Sequence, residues 1–195
     1  MSDSLSSIIS LLETRRSAKP RELVGPGPGS ADLERMLTIA ARTPDHGKLT
    51  PWRFVTVAQD QRDELGALLR KALVEHDPCA TAAHHQKEED FAHYAGQLVV
   101  LVSAPVADHK IPVFEQELSC GAAGMNLLLA AYALGYVAGW VTGWRAYSER
   151  VRRAFCGPGE RIAGFIFIGN SEREVEDRPR PQASDVSRAW EPPSP

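Results

Sequence analysis

Within five residues, Arg15-Arg16-Ser17-Ala18-Lys19, the chain collects three cations and a hydroxyl directly behind a stretch with helical spacing. Two kinds of chemistry suit such a cluster. Cations near a helix C-terminus interact favourably with the helix dipole, by about 0.3 to 1 kcal/mol, and need no ligand. The same groups also suit a ligand, since a guanidinium offers a fork of N–H donors and a serine a short hydroxyl. A second concentration, Arg42-Thr-Pro-Asp-His46-Gly-Lys-Leu-Thr-Pro-Trp52-Arg-Phe54, sets Arg42 and His46 in a loop stiffened by proline. His46 alone could be a plain loop histidine, and Trp52, next to Pro51 and ahead of a strand, reads as packing. In the third, Gly139-Trp140-Val141-Thr142, the glycine allows either a close backbone approach or a bulge in a buried strand.

Other chemistries find no support. His76, His84, His85, His93 and His109 could be assembled into a metal site on paper, but their spacing is not H-E-x-x-H and no cysteine joins them, so no metal is expected. There is no G-x-S-x-G elbow, no phosphate-binding G-x-x-x-x-G-K-[ST] loop and no G-x-G-x-x-G after a strand. Cys79, Cys120 and Cys156 are odd in number and far apart, which reads as reduced thiols in a cytoplasmic protein. The polar start and the early Glu13, Arg15 and Arg16 give no secretion signal. A formal charge of −3 makes nucleic acid an unexpected partner.

These groups must be positioned by a fold, and 195 residues with 43% hydrophobic and 24% charged residues suit one globular domain with a real core. Leu5, Ile8, Ile9, Leu11 and Leu12 recur on one helical face over residues 4 to 14, after a possible cap at Asp3 or Ser4, so this helix delivers the basic cluster at its end. Residues 20 to 30 are too rich in Pro and Gly for a regular ladder and read as a loop. Ser30 offers an N-cap for a helix through Arg42, with Leu33, Met36, Leu37 and Ala40 at helical spacing. A strand at 54 to 58, a helix at 61 to 74 and a strongly apolar strand at 97 to 103 follow, with residues 78 to 93 polar and His-rich. The last third adds a helix near 148 to 155, a strand at 162 to 168 and a Pro/Arg-rich tail from about Asp177. The class is mixed α and β.

From Leu118 to Trp144 no residue is charged, a run long enough to cross a bilayer. Gly135 and Gly139 interrupt it, and residues 137 to 141 favour a strand, so a buried helix turning into a buried strand explains the run. No membrane partner is expected. A colourless membrane-associated protein that needs detergent is the competing reading.

Arg15-Arg-Ser-Ala-Lys19, the 42 to 54 block, Glu115-Gln-Glu117 opening the apolar helix and Gly139-Trp-Val-Thr142 occur in the order found in one family: the chain resembles the short FMN-dependent nitroreductases over roughly residues 5 to 170. The resemblance implies an α/β (α+β) sandwich with a central, mainly antiparallel sheet flanked by helices, and a homodimer with FMN at the interface. It implies Arg15 and Ser17 as phosphate and ribityl ligands, with Arg16 joining them, and Lys19 as the cation near flavin N1 and O2. Arg42 and His46 match flavin-binding positions, and backbone donors of residues 139 to 142 are expected at N5 and O4.

Arg178 and Arg180 are candidates for the phosphate if the tail folds back, or else belong to a solvated charge run. Hydride from NADH or NADPH would pass through the flavin to a nitroaromatic, a quinone or a related small-molecule acceptor, with no protein residue required as a catalytic acid. A flavin-sequestering module without turnover, and a specialised chemistry on another substrate, are the alternatives. Ala122, Ala123, Gly124 and Ala131 would let helices approach closely, either across the dimer or within one subunit.

Overall fold

The strand Gln97–Ser103 (β2) is apolar at nearly every position because both of its faces are covered. In the computed structural model, which describes residues 2–193, it pairs antiparallel with Trp52–Val57 (β1) on one side and with Arg161–Gly169 (β4) on the other. Val137–Val141 (β3) pairs antiparallel with β4, giving the strand order β1-β2-β4-β3. Alternation along the strands separates two cores. Leu98, Val100, Val102, Phe165 and Phe167 face one side, and Val99, Leu101, Ile166 and Ile168 the other.

The second side is covered by Ser30–Ala40 (α2) and Val113–Ala133 (α5). Met36, Ala40, Ala123, Leu127 and Ala131 are buried there, as the helical spacing of α2 predicts. The helix begins at Ser30 itself behind Gly29, so Ser30 does not cap it, and it ends at Ala40 with Arg42 just beyond. The first side is covered by Arg62–His76 (α3), Ala82–Ala92 (α4), Trp144–Tyr147 (α6) and Glu149–Phe155 (α7). Helix α4 fills the segment that sequence reasoning leaves without structure. Its mean apolar signal is low because only Glu88, Phe91 and Ala92 are buried.

Burial of Glu88 is balanced by Arg145 of α6, which grips it through two nitrogens, one at 2.7 Å, while the guanidinium lies 4.1 Å over the Phe91 ring. The two side chains are 5% and 17% exposed, so removing either leaves the other charged in a low-dielectric setting. Glu88→Ala is expected to cost about 3 kcal/mol, read as a lower urea midpoint. Arg62 is likewise buried, and donates to the carbonyls of Ala92 (2.8 Å) and Gly96 (3.1 Å) at the C-terminal turn of α4. The helix dipole stabilises a cation there.

Ser2–Thr14 (α1) has the expected helix, and starting at Ser2 it holds Asp3 and Ser4 in its first turn; side chains before Ser7 lie outside the described ones. Its apolar face is not covered by the chain: Ile8, Ile9 and Leu12 are each more than half exposed. The 20 to 30 segment is less irregular than its composition suggests, with a 3-10 turn at Pro20–Glu22 and Val24 paired to Asn170. The uncharged run resolves into α5, a turn at Gly135 and β3; among the described residues no helix is long and apolar enough to cross a membrane. Past Arg180 every described tail residue is exposed, with one helical turn at Ala183–Val186 (α8).

The histidines do not converge. His76 stacks on Trp144, His84 accepts from Thr81 N–H, and His109 accepts from Ile111 N–H. Among the described residues, only His93 joins two carboxylates closely, those of Asp63 and Glu89, and there Arg70 already neutralises Glu89. None of the three cysteines is paired; burial pushes the Cys120 thiol up to about 11.

Candidate active site

Helix α1 ends at Thr14, and the chain then runs extended beside β3, whose far edge no other strand occupies. Ser17 makes a parallel bridge with Ala138, and Ala18 N–H donates to the Ala138 carbonyl at 3.0 Å. The basic cluster is thus a partial fifth strand. It is stitched to the segment with which sequence order alone does not connect it. Gly139 is what permits the stitch: a Cβ there would collide with the Ala18 carbonyl oxygen, backbone against backbone. The alternative of a bulge at Gly139 is corrected, since β3 and β4 pair without slip from Val137 to Val141. The register shift lies between β2 and β4, at Leu101/Val102.

That parity also orients the backbone. Ala138 turns its polar groups to the outer edge, so Trp140 and Thr142, two and four residues on, turn theirs the same way. The Trp140 side chain has a separate task. Its indole N–H donates to the Ala163 carbonyl at 3.1 Å, and its ring lies against Gly124 and Gly164, where a Cβ would overlap it. Trp140 therefore anchors β3 to α5 and β4, and what it offers the edge is main chain. Val141 is half-buried and packs toward the α3 side, while Thr142 is exposed.

Arg15 is half-buried, and Nη1 donates to Ser17 Oγ at 3.1 Å. Among the described residues no carboxylate lies within ion-pair distance of it. Burial first, and then the positive charges of Arg180 and Arg178, lower its pKa, with Tyr132 and Asp177 acting the other way. Three guanidiniums thus share one neighbourhood. The tail does fold back: residues 171–178 wall a cleft of about 440 Å³ against residues 17–24, lined by Ser17, Lys19, Asp177 and Arg178 among others.

Arg16 does not join that group by its side chain. It bonds Glu174 (2.6 Å) and the Val175 carbonyl (2.8 Å), tying the tail to the body. Lys19 is exposed and pairs with Glu22 at 3.1 Å.

Arg42 and His46 stand elsewhere. His46 Nδ1 lies 2.7 Å from Glu115 in the first turn of α5, whereas the 14–15 segment meets the other end, where the Tyr132 hydroxyl donates to the Thr14 carbonyl at 3.1 Å. Residues 115 and 132 of a helix are about 25 Å apart at a rise of about 1.5 Å per residue. Within one chain these two halves do not meet. Arg42 is exposed; its N–H donates to the Ile39 carbonyl at 3.0 Å, and its side chain forms no ion pair among the described residues.

The loop that carries His46 is held in unusual geometry. Lys48 and Thr50 have φ of 56° and 50°, Thr50 N–H donates to Asp45 at 2.7 Å, and Ser119 of α5 donates to the Pro44 carbonyl at 2.9 Å. A β-branched residue at positive φ is strained and persists only where its surroundings demand it. Sequence reasoning overlooks Asp177 and the Glu115 partner of His46. Asp-Arg-Pro-Arg spacing is the only trace of the first, and nothing local signals the second.

An antiparallel sheet between two helical layers, with an extended cationic segment closing one edge, defines an α+β sandwich. The nitroreductase family model matches residues 12–170, and the chain belongs to that family. A relative from Haemophilus influenzae named "Putative NAD(P)H nitroreductase" is 35% identical over 170 residues, covering 86% of this chain and 90% of that one. A nitroreductase-like family protein from Bacillus cereus superposes with a TM-score of 0.78 at 19% identity, over 94% of this chain and 96% of that one. A mutant of the FMN and NADPH-dependent nitroreductase NfnB from sphigopyxis sp. strain HMH gives 0.72 at 17%, over 93% and 97%.

Proposed function

We propose that this chain is an FMN-dependent oxidoreductase that carries hydride from NADH or NADPH to an electron-poor acceptor such as a nitroaromatic or a quinone, as a cytoplasmic homodimer that shares its flavin site between subunits. The observation that carries this reading is Arg15: a half-buried guanidinium beside Ser17, with no acid partner among the described residues and with Arg178 and Arg180 close enough to repel it. A guanidinium without an acid partner beside a serine hydroxyl fits a phosphate monoester, which brings about −1.5 to −2 charge at neutral pH. Beside it, the outer edge of β3 offers the main chain of Trp140 and Thr142 to the polar edge of a flat ring.

Bound FMN supplies a ring that accepts hydride at N5 and gives it up again. The chain's own residues bind and orient. Arg15 and Ser17 hold the phosphate and ribityl oxygens. Lys19, exposed and held only by an exposed Glu22, provides the cation next to N1 and O2, where negative charge gathers on reduction. The Gly139 approach fixes the spacing between phosphate and ring ends by locking residues 17–19 to the strand. His46, at the opposite end of α5, completes the site from the partner subunit together with Arg42 of the same loop, and Glu115 holds the His46 ring through Nδ1. The acceptor is protonated from solvent in an open cleft.

Purified protein should be yellow, release FMN, and bleach with NADH or NADPH under anaerobic conditions. A colourless protein that FMN cannot reconstitute would falsify this reading; a coloured one that neither nucleotide bleaches would favour sequestration. Arg15→Ala is expected to weaken FMN binding about 10- to 100-fold, the loss of a charge-assisted bond, with circular dichroism unchanged. Unchanged FMN affinity would reduce the cluster to a helix terminus.

A further inference from the structure

Asp177 pairs with one of these guanidiniums. Asp177 Oδ1 is 3.2 Å from Arg180 Nη2 and accepts the Arg178 backbone N–H at 2.8 Å, and it lines the same cleft as Ser17, Lys19 and Arg178. Sequence explains the contact. In Asp177-Arg178-Pro179-Arg180-Pro181 each arginine precedes a proline and is held extended, and an extended polyproline-type chain repeats every three residues. Residues 177 and 180 therefore fall on one side. The carboxylate is half-exposed and can turn away without losing the fold.

We infer that Asp177 is an internal substitute for the ligand's phosphate: it holds Arg180 beside the cleft when no phosphate is present and yields it when a phosphate monoester enters. The assignment rests on the flavin reading for the identity of that monoester, but the exchange itself needs only the phosphate. It makes Asp177 a specificity-determining residue. Binding a phosphorylated ligand breaks the Asp177–Arg180 pair, whereas a ligand without phosphate leaves it intact, so the pair sets how strongly the site distinguishes the two. The neighbouring acids are placed differently: Glu174 is bound by Arg16, Glu22 by Lys19, and Glu172 and Glu176 are exposed.

The test compares wild type with Asp177→Asn, which keeps the acceptor for the Arg178 N–H and removes the charge. FMN and riboflavin affinities are measured by quenching of flavin fluorescence, and inorganic phosphate binding by thermal shift of the flavin-free protein. FMN and phosphate should bind about three- to fivefold more tightly to the variant, the scale of an exposed ion pair, while riboflavin binds equally to both. FMN and phosphate affinities that stay level or fall, or riboflavin that tightens as much as FMN, would overturn the exchange. Two further results separate it from the flavin reading. If neither form takes up any flavin yet the variant gains phosphate affinity, the exchange stands and the flavin reading fails; if wild type binds FMN and the variant shows no gain, the reverse holds.

Discussion

Gly139→Ala is expected to cost about 3 kcal/mol of stability and to lower FMN retention by about two orders of magnitude, although the change adds a single methyl group. The methyl has nowhere to go. Its nearest neighbour is the Ala18 carbonyl oxygen, part of a backbone that cannot rotate aside as a side chain tip would. Relief requires residues 17–19 to lift from β3, which breaks the Ala18–Ala138 hydrogen bond and uncouples Arg15, Ser17 and Lys19 from the strand edge.

The two consequences can be read separately. Thermal denaturation should show a midpoint lower by about 6 to 12 °C for a chain of this size. Flavin released by dialysis should show the loss of retention. Gly29→Ala is the control, because nothing lies within 4 Å of a Cβ there and its φ is −68°. If Gly139→Ala keeps both stability and flavin while the control does the same, residues 17–19 are not locked to β3 in the way the geometry requires.

How much of this was legible beforehand depends on the distance over which each signal acts. Alternation and helical spacing are local, so β2 and the Met36 and Ala40 face of α2 could be read from the residues. Helix α4 could not, because only Glu88, Phe91 and Ala92 of its residues are buried, and the partner that makes burial of Glu88 acceptable, Arg145, is 57 positions away. The glycines show the same limit. Gly139 stood out as a close approach, but its neighbour is Ala18, a contact made only once the chain has returned to the sheet edge.

Gly124 is a sharper case. Of the two contacts open to it, across a dimer or within one subunit, Gly124 makes the second: a Cβ there would lie 2.6 Å from the Trp140 ring and 2.7 Å from Leu101. Of the four small residues, only Ala122 is exposed. As for the proposed site, the separation of His46 from the basic cluster required knowing that His46 and Thr14 meet α5 at opposite ends.

That separation leads to the second large effect: Leu118→Glu should convert the protein to a monomer and, although Leu118 is not itself a proposed flavin ligand, strip it of FMN. Phe114, Leu118, Ala122 and Met125 succeed one another at helical spacing along one side of α5, and Phe114 and Leu118 are 68% and 58% exposed. Ile8, Ile9 and Leu12 of α1, which lies against α5, are exposed as well. Contiguous apolar exposure of this kind is unfavourable in water and calls for a partner.

A two-fold axis running across such a stripe would set two copies of α5 antiparallel, with the His46 end of each facing the partner's 14–19 segment. On the proposed reading, the contact that covers the apolar stripe would then also assemble the flavin site. By symmetry, one substitution inserts an unpaired carboxylate twice into a desolvated contact, at several kcal/mol each. Sedimentation should report half the wild-type mass, with flavin content down more than about tenfold by the same linkage. Val74→Glu, at an equally exposed apolar residue on the α3 side of the sheet, should change neither. A Leu118→Glu monomer that binds FMN as tightly as wild type would mean that one subunit holds the cofactor alone, and Arg42 and His46 would then have no part in it.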